Sequence, residues 1–160
     1  LKTDGSSLSF GTGAKILQVV QAVSNTRIAT TSASYVATSK SVTITPTGAN
    51  SKIKVEVTGV GNTQSGNRQI MCTVFRSING GTFTDICPDN SSNHGFWNLR
   101  DSGDRVHAPF HINYLDTPSY SVGNAIVYKL YIRSQDGGEI EQPGSNNAEP
   151  TISMATEIAA

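Results

Sequence analysis

Apolar and polar residues alternate one by one along much of this chain, and this period of two constrains the fold more than any other feature. Residues 53–57 place Ile, Val and Val at every second position, and residues 110–114 and 126–132 repeat the pattern. A further stripe near the end contains Ile152, Met154, Thr156 and Ile158. Such a period is typical of a strand with one buried and one solvated face. The pattern therefore predicts an all-β chain in which each stripe faces the core.

Clusters of Gly, Asn, Pro and Ser separate the alternating segments and mark turns. Residues 14–22 and 41–45 add two strands through their β-branched content. About eight or nine strands without room for crossover helices predict an antiparallel β-sandwich, jelly-roll-like in type. The first residues contain too few apolar side chains to bury a core within one chain. We therefore divide the sequence into a shaft or hairpin segment with its joint at 1–13 and a sandwich domain at 14–160.

Length and charge exclude several classes of protein. The chain has 160 residues, enough for one domain with its own core. Its formal net charge is zero, and no nucleic acid partner is expected because phosphate binding depends on an excess of Lys and Arg. No apolar run approaches the roughly 20 residues that a membrane helix requires, so no membrane insertion is expected.

A hairpin is the clearest local unit. The runs at 68–78 and 82–87 flank an Asn-Gly dipeptide at 79–80, which favours a type I′ turn. Counting outward from a two-residue turn places Cys72 opposite Cys87, within the roughly 4.5–5.5 Å that a cross-strand disulfide can span. We hypothesise a conditional disulfide there. The alternative is a pair of thiols that pack as small hydrophobes, and a three-residue turn would separate them.

Several short segments resemble the C-terminal region of tail-fibre proteins from tailed phages, particularly marine and cyanobacterial ones. The opening Leu1-Lys2-Thr3-Asp4-Gly5-Ser6 is similar to a short hairpin repeat that precedes the terminal domain of these fibres. Residues 13–21 resemble the opening strand of that domain, although Ala14 interrupts the usual Gly-Lys pair. Residues 41–46 with 51–55 resemble an internal block, and 154–160 resemble the closing strand. Residues 85–110 carry no resemblance.

The resemblance implies a virion protein, assembled in the host cytoplasm, that forms a homotrimer and attaches to a host surface. The rest of the fibre would precede Leu1, and the receptor would be a bacterial surface glycan or protein. Some strands carry apolar residues on both faces, which a trimer axis could bury: Met71, Phe75, Leu115, Val127 and Tyr131. The alternative is that scattered exposed apolar residues need no partner.

Catalysis is not expected, and no cofactor or metal is predicted. The sequence has no Gly-x-Ser-x-Gly nucleophile motif. Glycoside hydrolysis needs two carboxylates roughly 5–9.5 Å apart, whereas most acids here lie in predicted turns. They are Asp101, Asp104, Asp116, Asp136, Glu139 and Glu141. His107 and His111 would lie roughly 13 Å apart on a strand, too far for one ion within a chain. Three copies around an axis could still share a metal.

The segment from residue 87 to residue 105 is the longest predicted loop and holds the one Trp of the chain. Aromatic ring faces surrounded by planar polar side chains are typical of sugar recognition. We therefore assign receptor binding to Asn93, His94, Phe96, Trp97, Asn98, Arg100 and Arg105. The alternative is that Phe96 and Trp97 fold inward and plug one end of the sandwich. A polar loop at 142–150 is a second candidate contact surface. The alternative function is a purely structural module, such as a head-fibre or decoration domain or a trimerisation cap.

Overall fold

A computed structural model of the chain describes residues 15–64, 66–88, 95–142 and 149–160. These residues form eleven β-strands and no helix. The strands are β1 (Ile16–Ser24), β2 (Ile28–Thr30), β3 (Val36–Ile44), β4 (Lys52–Thr63), β5 (Gln69–Ile78), β6 (Thr84–Asp85), β7 (Trp97–Arg100), β8 (Val106–Asp116), β9 (Ile126–Ser134), β10 (Ile140–Gln142) and β11 (Thr151–Ile158). The predicted shaft segment at 1–13 lies outside the described residues.

Two antiparallel sheets pack against each other, so the predicted β-sandwich is confirmed. In the six-stranded sheet, β4 is flanked by β8 on one edge and by β11 and then β1 on the other, with β10 and β2 continuing alongside the far end of β4. In the five-stranded sheet, β9 lies between β3 and β5, while β6 and β7 share the second edge of β5. We call the face of each sheet that is turned away from the other sheet its outer face.

The alternating segments supply the core as predicted. Ile53 and Val55 of β4 are fully buried, as are Ile126 and Ile132 of β9. Burying one such side chain contributes about 1.5–3 kcal/mol relative to leaving it exposed. The hydrophobic pattern of β4, β8 and β9 therefore fixes which face of each strand turns inward.

The predicted stripe of β11 is wrong, because the strand presents its opposite face to the core. Ala155, directly opposite Val55 of β4, is 0% exposed, whereas Ile152 is 39% exposed. Ser153 and Glu157 share the inner face with Ala155 and are also buried. The inner face of β11 can bury the charged Glu157 because its carboxylate accepts hydrogen bonds from the segment between β3 and β4.

The turn between β5 and β6 is confirmed, but its register differs from the prediction and the disulfide hypothesis is wrong. Asn79 and Gly80 both have positive φ, and the Gly81 amide donates to the Ile78 carbonyl at 2.9 Å. Beyond that turn Phe75 pairs with Asp85, one residue out of the predicted register. This slip turns the side chains of Cys72 and Cys87 to opposite faces, and both are thiols.

The outer face of β5 is covered at Met71 by the chain itself. Met71 is 0% exposed although it lies on that face. The segment 32–35 folds over the sheet there, held by a hydrogen bond from Arg133 Nη1 to the Ala33 carbonyl at 3.0 Å. Burial of Met71 on its second face therefore requires no neighbouring chain.

Candidate functional site

The aromatic pair of the predicted receptor loop packs inward. Phe96 contacts Tyr114 with ring centroids 5.3 Å apart, and Trp97 contacts Phe110 at 5.5 Å. Both rings pack against the hydrophobic core. A part of the predicted loop is strand β7, which pairs with β5 and turns Trp97 to the inner face. The arrangement is the inward-folded alternative described above.

The two polar residues of β7 lie on the outer face of the five-stranded sheet. Asn98 Oδ1 accepts a hydrogen bond from Gln69 Nε2 at 3.3 Å. Arg100 Nη2 donates to Gln69 Oε1 at 2.9 Å and lies 3.6 Å from Asp136 Oδ1. Both side chains are exposed at their tips and available for contact.

Arg105 lies elsewhere, on the outer face of the six-stranded sheet. Its Nη2 lies 3.3 Å from Oε2 of Glu141, which also accepts a hydrogen bond from Asn62 Nδ2 at 2.8 Å, while Arg27 contacts Oε1 of the same carboxylate. Burial alone would raise the pKa of Glu141, but the hydrogen bonds from Arg27 and Asn62 outweigh it and lower that pKa. The structure therefore does not group Arg105 with Asn98 and Arg100. Asn93 and His94 lie outside the described residues, and the receptor-binding role of this set stays a prediction.

A different surface stands out on the outer face of the five-stranded sheet, where four half-buried aromatic rings form a continuous row. Phe75 and Tyr131 are stacked with centroids 4.0 Å apart and planes inclined by 25°. Tyr35 contacts the edge of this pair at 6.0 Å from Phe75, and Phe83 lies 6.1 Å from Tyr131. We call these four residues the aromatic row.

The register of the sheet explains why the rings meet. Tyr131 lies opposite Thr73, and Phe75 lies opposite Lys129, so Phe75 and Tyr131 are diagonal neighbours on the same face. Diagonal neighbours across two strands are within reach of aromatic side chains. The other two rings come from outside the paired strands: Tyr35 immediately precedes β3, and Phe83 follows the tight turn after β5.

A cation lies at each end of the aromatic row. Lys129 Nζ is 4.9 Å from the centroid of the Phe83 ring, and the Arg133 guanidinium carbon is 5.5 Å from that of Tyr35. Such contacts contribute about 0.5–1 kcal/mol at exposed sites. Arg133 is further fixed by a hydrogen bond to Gln135 Oε1 at 2.6 Å.

The two tyrosines of the row are neutral at physiological pH. Burial raises the pKa of Tyr35 to about 12, although Arg133 opposes that shift. Burial also raises the pKa of Tyr131. Both hydroxyls therefore keep their protons at physiological pH. The surface brings together aromatic rings, a neutral tyrosine hydroxyl and an ammonium group.

Metal-ligating side chains are not clustered in the part of the chain that the structure describes: no group of three His, Cys, Asp or Glu is placed to hold an ion. His107 and His111 are both exposed on the outer face of β8, and His111 Nδ1 lies 2.8 Å from Thr58 Oγ1. A metal ion held by histidines from three copies of the chain stays a prediction.

Sequence reasoning found two of the four rings but gave them another role. The sequence places Phe75 and Tyr131 on strand faces that the alternating pattern predicts to be solvated, and the trimer hypothesis buries them at an axis. Tyr35 and Phe83 carried no signal, because they lie in irregular segments whose position over the sheet depends on the tertiary fold.

The chain matches no protein-family model, and no curated protein shows significant similarity to it. Over the described ranges, no helix combines the length and the apolar character that crossing a membrane requires.

Proposed function

We propose that this chain is the tip domain of a phage tail fibre, a non-catalytic virion protein that attaches to a bacterial surface glycan through the aromatic row. The observation that carries the binding part is the placement of four aromatic rings on the solvated face of a sheet. The virion part rests on the resemblance of the short segments described above.

The position of the row supports binding. The solvated face of an antiparallel sheet is ordinarily polar, and contiguous exposed apolar surface on a soluble domain marks an interaction site. Phe75 and Tyr131 lie on β5 and β9, the central strands of their sheet, so the rings are presented by a rigid support. Sugars are bound by contact of their C–H groups with aromatic rings and by directional hydrogen bonds to their hydroxyls. Tyr131, Asn98 and Arg100 supply such groups on the same outer face.

Self-association is the second part of the proposal, and it is supported by the other sheet. Its outer face exposes Val19 (55%), Val23 (61%), Leu115 (46%) and Ile152 (39%). Val23 and Ile152 are direct neighbours across β1 and β11. Contact between copies through this face would leave the aromatic row open and would make attachment multivalent, with a gain of up to about 10²–10⁴ in avidity. Sedimentation of the purified chain should give a trimer mass, and a stable monomer would contradict this part.

A purely structural module is the competing proposal, and the inward packing of Trp97 favours it. Trp97 fills space between the sheets instead of forming a contact surface. A head-fibre, decoration or trimerisation domain needs only such a stable sandwich. Only the attachment proposal requires the rings of the aromatic row to contact a ligand, so the two proposals differ in whether removing a ring lowers binding.

The distinguishing experiment measures binding of the purified chain to immobilised bacterial surface polysaccharides, both acidic and neutral. We expect binding that falls by at least about tenfold in Phe75→Ala, since the loss of one stacking ring costs about 1–3 kcal/mol where bases stack on aromatic side chains. Val122→Ala, at an exposed apolar residue in the segment between β8 and β9 that belongs to neither proposed surface, is the matched control and should bind as the wild type does. Binding that survives Phe75→Ala, or no binding to any polymer, would contradict the proposal and favour the structural module.

A further inference from the structure

We propose that the aromatic row selects acidic sugars, with the ammonium group of Lys129 pairing with a sugar carboxylate. This inference rests on the proposed function, because it names the chemical class of ligand that the same surface would take. It depends on three observations. Within the residues that the structure describes, Lys129 forms no ion pair, the hydroxyl of Tyr131 lies on the same face, and Asp85 is hydrogen-bonded to other residues.

Lys129 forms no ion pair with an acid among the described residues. Five other cations form ion pairs with carboxylates: Arg27, Lys54, Arg76, Arg100 and Arg105. Lys129 instead contacts the ring of Phe83, with 4.9 Å between the ammonium nitrogen and the ring centroid. An aromatic ring restricts the position of an ammonium group without neutralising its charge. The charge is therefore held in place and remains available to an anion.

A hydrogen-bond donor lies on the same face two residues away. Side chains at i and i+2 of a strand share a face and lie about 6.6–7 Å apart, so the ammonium of Lys129 and the hydroxyl of Tyr131 face solvent together. Burial raises the pKa of Tyr131, which keeps its hydroxyl protonated. Within the described ranges that hydroxyl has no hydrogen-bond partner. A cation and a hydroxyl on neighbouring positions of one face can together contact the carboxylate and a hydroxyl of an acidic sugar.

The nearest acid on this face does not neutralise the site. Asp85 pairs with Phe75 across β6 and β5, so the ring of Phe75 separates it from Lys129 on β9. One oxygen of Asp85 accepts hydrogen bonds from Thr73 Oγ1 at 2.7 Å and from the Cys87 amide at 3.0 Å. Asp85 is thus hydrogen-bonded to its own neighbours and, among the ion pairs of the described residues, forms none with Lys129.

The test compares acidic polysaccharides with their carboxyl-reduced forms. The probes are polygalacturonate, alginate and polysialic acid, each beside its reduced counterpart, with the intact chain as the analyte. We expect at least one acidic polymer to bind about tenfold more tightly than its reduced form, the range of a charge-assisted contact. Lys129→Gln should remove that preference, and Tyr131→Phe should weaken binding by a smaller factor. Because the contact is exposed, added salt should also weaken binding.

Lys52→Gln is the matched control, since Lys52 is exposed on the outer face of the other sheet and makes no cation–π contact with a described ring. It should change neither affinity nor preference, and thermal unfolding of every variant should confirm that each is folded. Equal binding of acidic and reduced polymers, unchanged in Lys129→Gln but lost in Phe75→Ala, would overturn the inference and leave the proposed function intact. No binding to any acidic or neutral polymer would overturn both.

Discussion

The backbone amide of Gly48 donates a hydrogen bond to Oε1 of Glu157 at 2.8 Å, joining the segment before β4 to the last strand. Further donors to the same carboxylate are Gln18 Nε2, the amide and hydroxyl of Thr47, and the hydroxyl of Ser51. Burial alone would raise the pKa of Glu157, but these hydrogen bonds lower it to about 2. The carboxylate therefore organises the segment 47–51 without the help of a cation.

Removing the charge of Glu157 should destabilise the domain. The amide of Gln cannot accept at both positions, so we expect Glu157→Gln to lower the free energy of unfolding by about 2–3 kcal/mol at pH 7. The folded pKa lies below the ordinary value of 4.5. The contribution of Glu157 is therefore fully present above about pH 4.5 and is lost as the pH falls toward 2.

Urea unfolding across that pH range measures the effect of Glu157→Gln. Glu56→Gln is the control, because Glu56 lies on an outer face in an ion pair with Lys54 and should change stability by less than about 1 kcal/mol. A difference between wild type and Glu157→Gln that does not shrink at low pH would contradict the assignment.

Replacing Lys40 by Met should stabilise the domain at neutral pH. Lys40 is buried on the inner face of β3, and its ammonium donates to the carbonyl of Thr26. Burial lowers the pKa of Lys40 from 10.5 to about 8. The folded state thus disfavours the charged form, and Met removes that penalty while keeping the length of the side chain. We expect a gain of about 1–2 kcal/mol, since the exposed Thr26 carbonyl can turn to water.

The pH dependence of the stability difference between wild type and Lys40→Met shows whether the buried charge causes it. Because the pKa is lowered on folding, wild-type stability should rise between about pH 8 and 10.5, and the advantage of Lys40→Met should disappear over that interval. Lys52→Met, at an exposed position, should show no such trend. Loss of stability in Lys40→Met at pH 7 would instead mean that the hydrogen bond to Thr26 outweighs the burial of the charge.

The strands that the sequence predicted well are those whose two faces differ most in polarity. On β4, Ile53 and Val55 alternate with Lys and Glu, and only one orientation buries the apolar set. The inner face of β11 instead holds Ser153 and Glu157, because the charge of Glu157 is satisfied by donors from a segment distant in sequence. Periodicity could not reveal that contact, and it assigned the wrong face.

The candidate site was less predictable than the fold for a similar reason. One extra residue after the turn at 79–80 changes the pairing of β5 and β6, and the sequence did not reveal it. Phe83 reaches Tyr131 only in this register, and Tyr35 reaches Phe75 only because its segment folds over the sheet. A surface built by irregular segments depends on tertiary contacts that local patterns do not encode.

Thiol labelling should distinguish the two cysteines. Cys72 is 0% exposed and burial raises its pKa, whereas Cys87 is half-buried near the end of the hairpin. A thiolate is the reactive form, so we expect an aromatic disulfide reagent to label Cys87 in the native protein and both cysteines after unfolding. Cys87→Ser should abolish native labelling. Two thiols that label at equal rates in the native state, or none after unfolding without reductant, would contradict this placement.

Gly61 and Trp97 should be coupled in stability. A Cβ atom at Gly61 would lie 2.9 Å from two ring carbons of Trp97, closer than side chains can approach. Gly61→Ala therefore forces the indole to move, and we expect a loss of about 1–3 kcal/mol. In a Trp97→Phe background the smaller ring vacates that space, so the added loss from Gly61→Ala should be smaller by at least about 1 kcal/mol. Chemical denaturation of the four proteins gives this coupling. Additive losses would mean that Trp97 does not fill the space above Gly61.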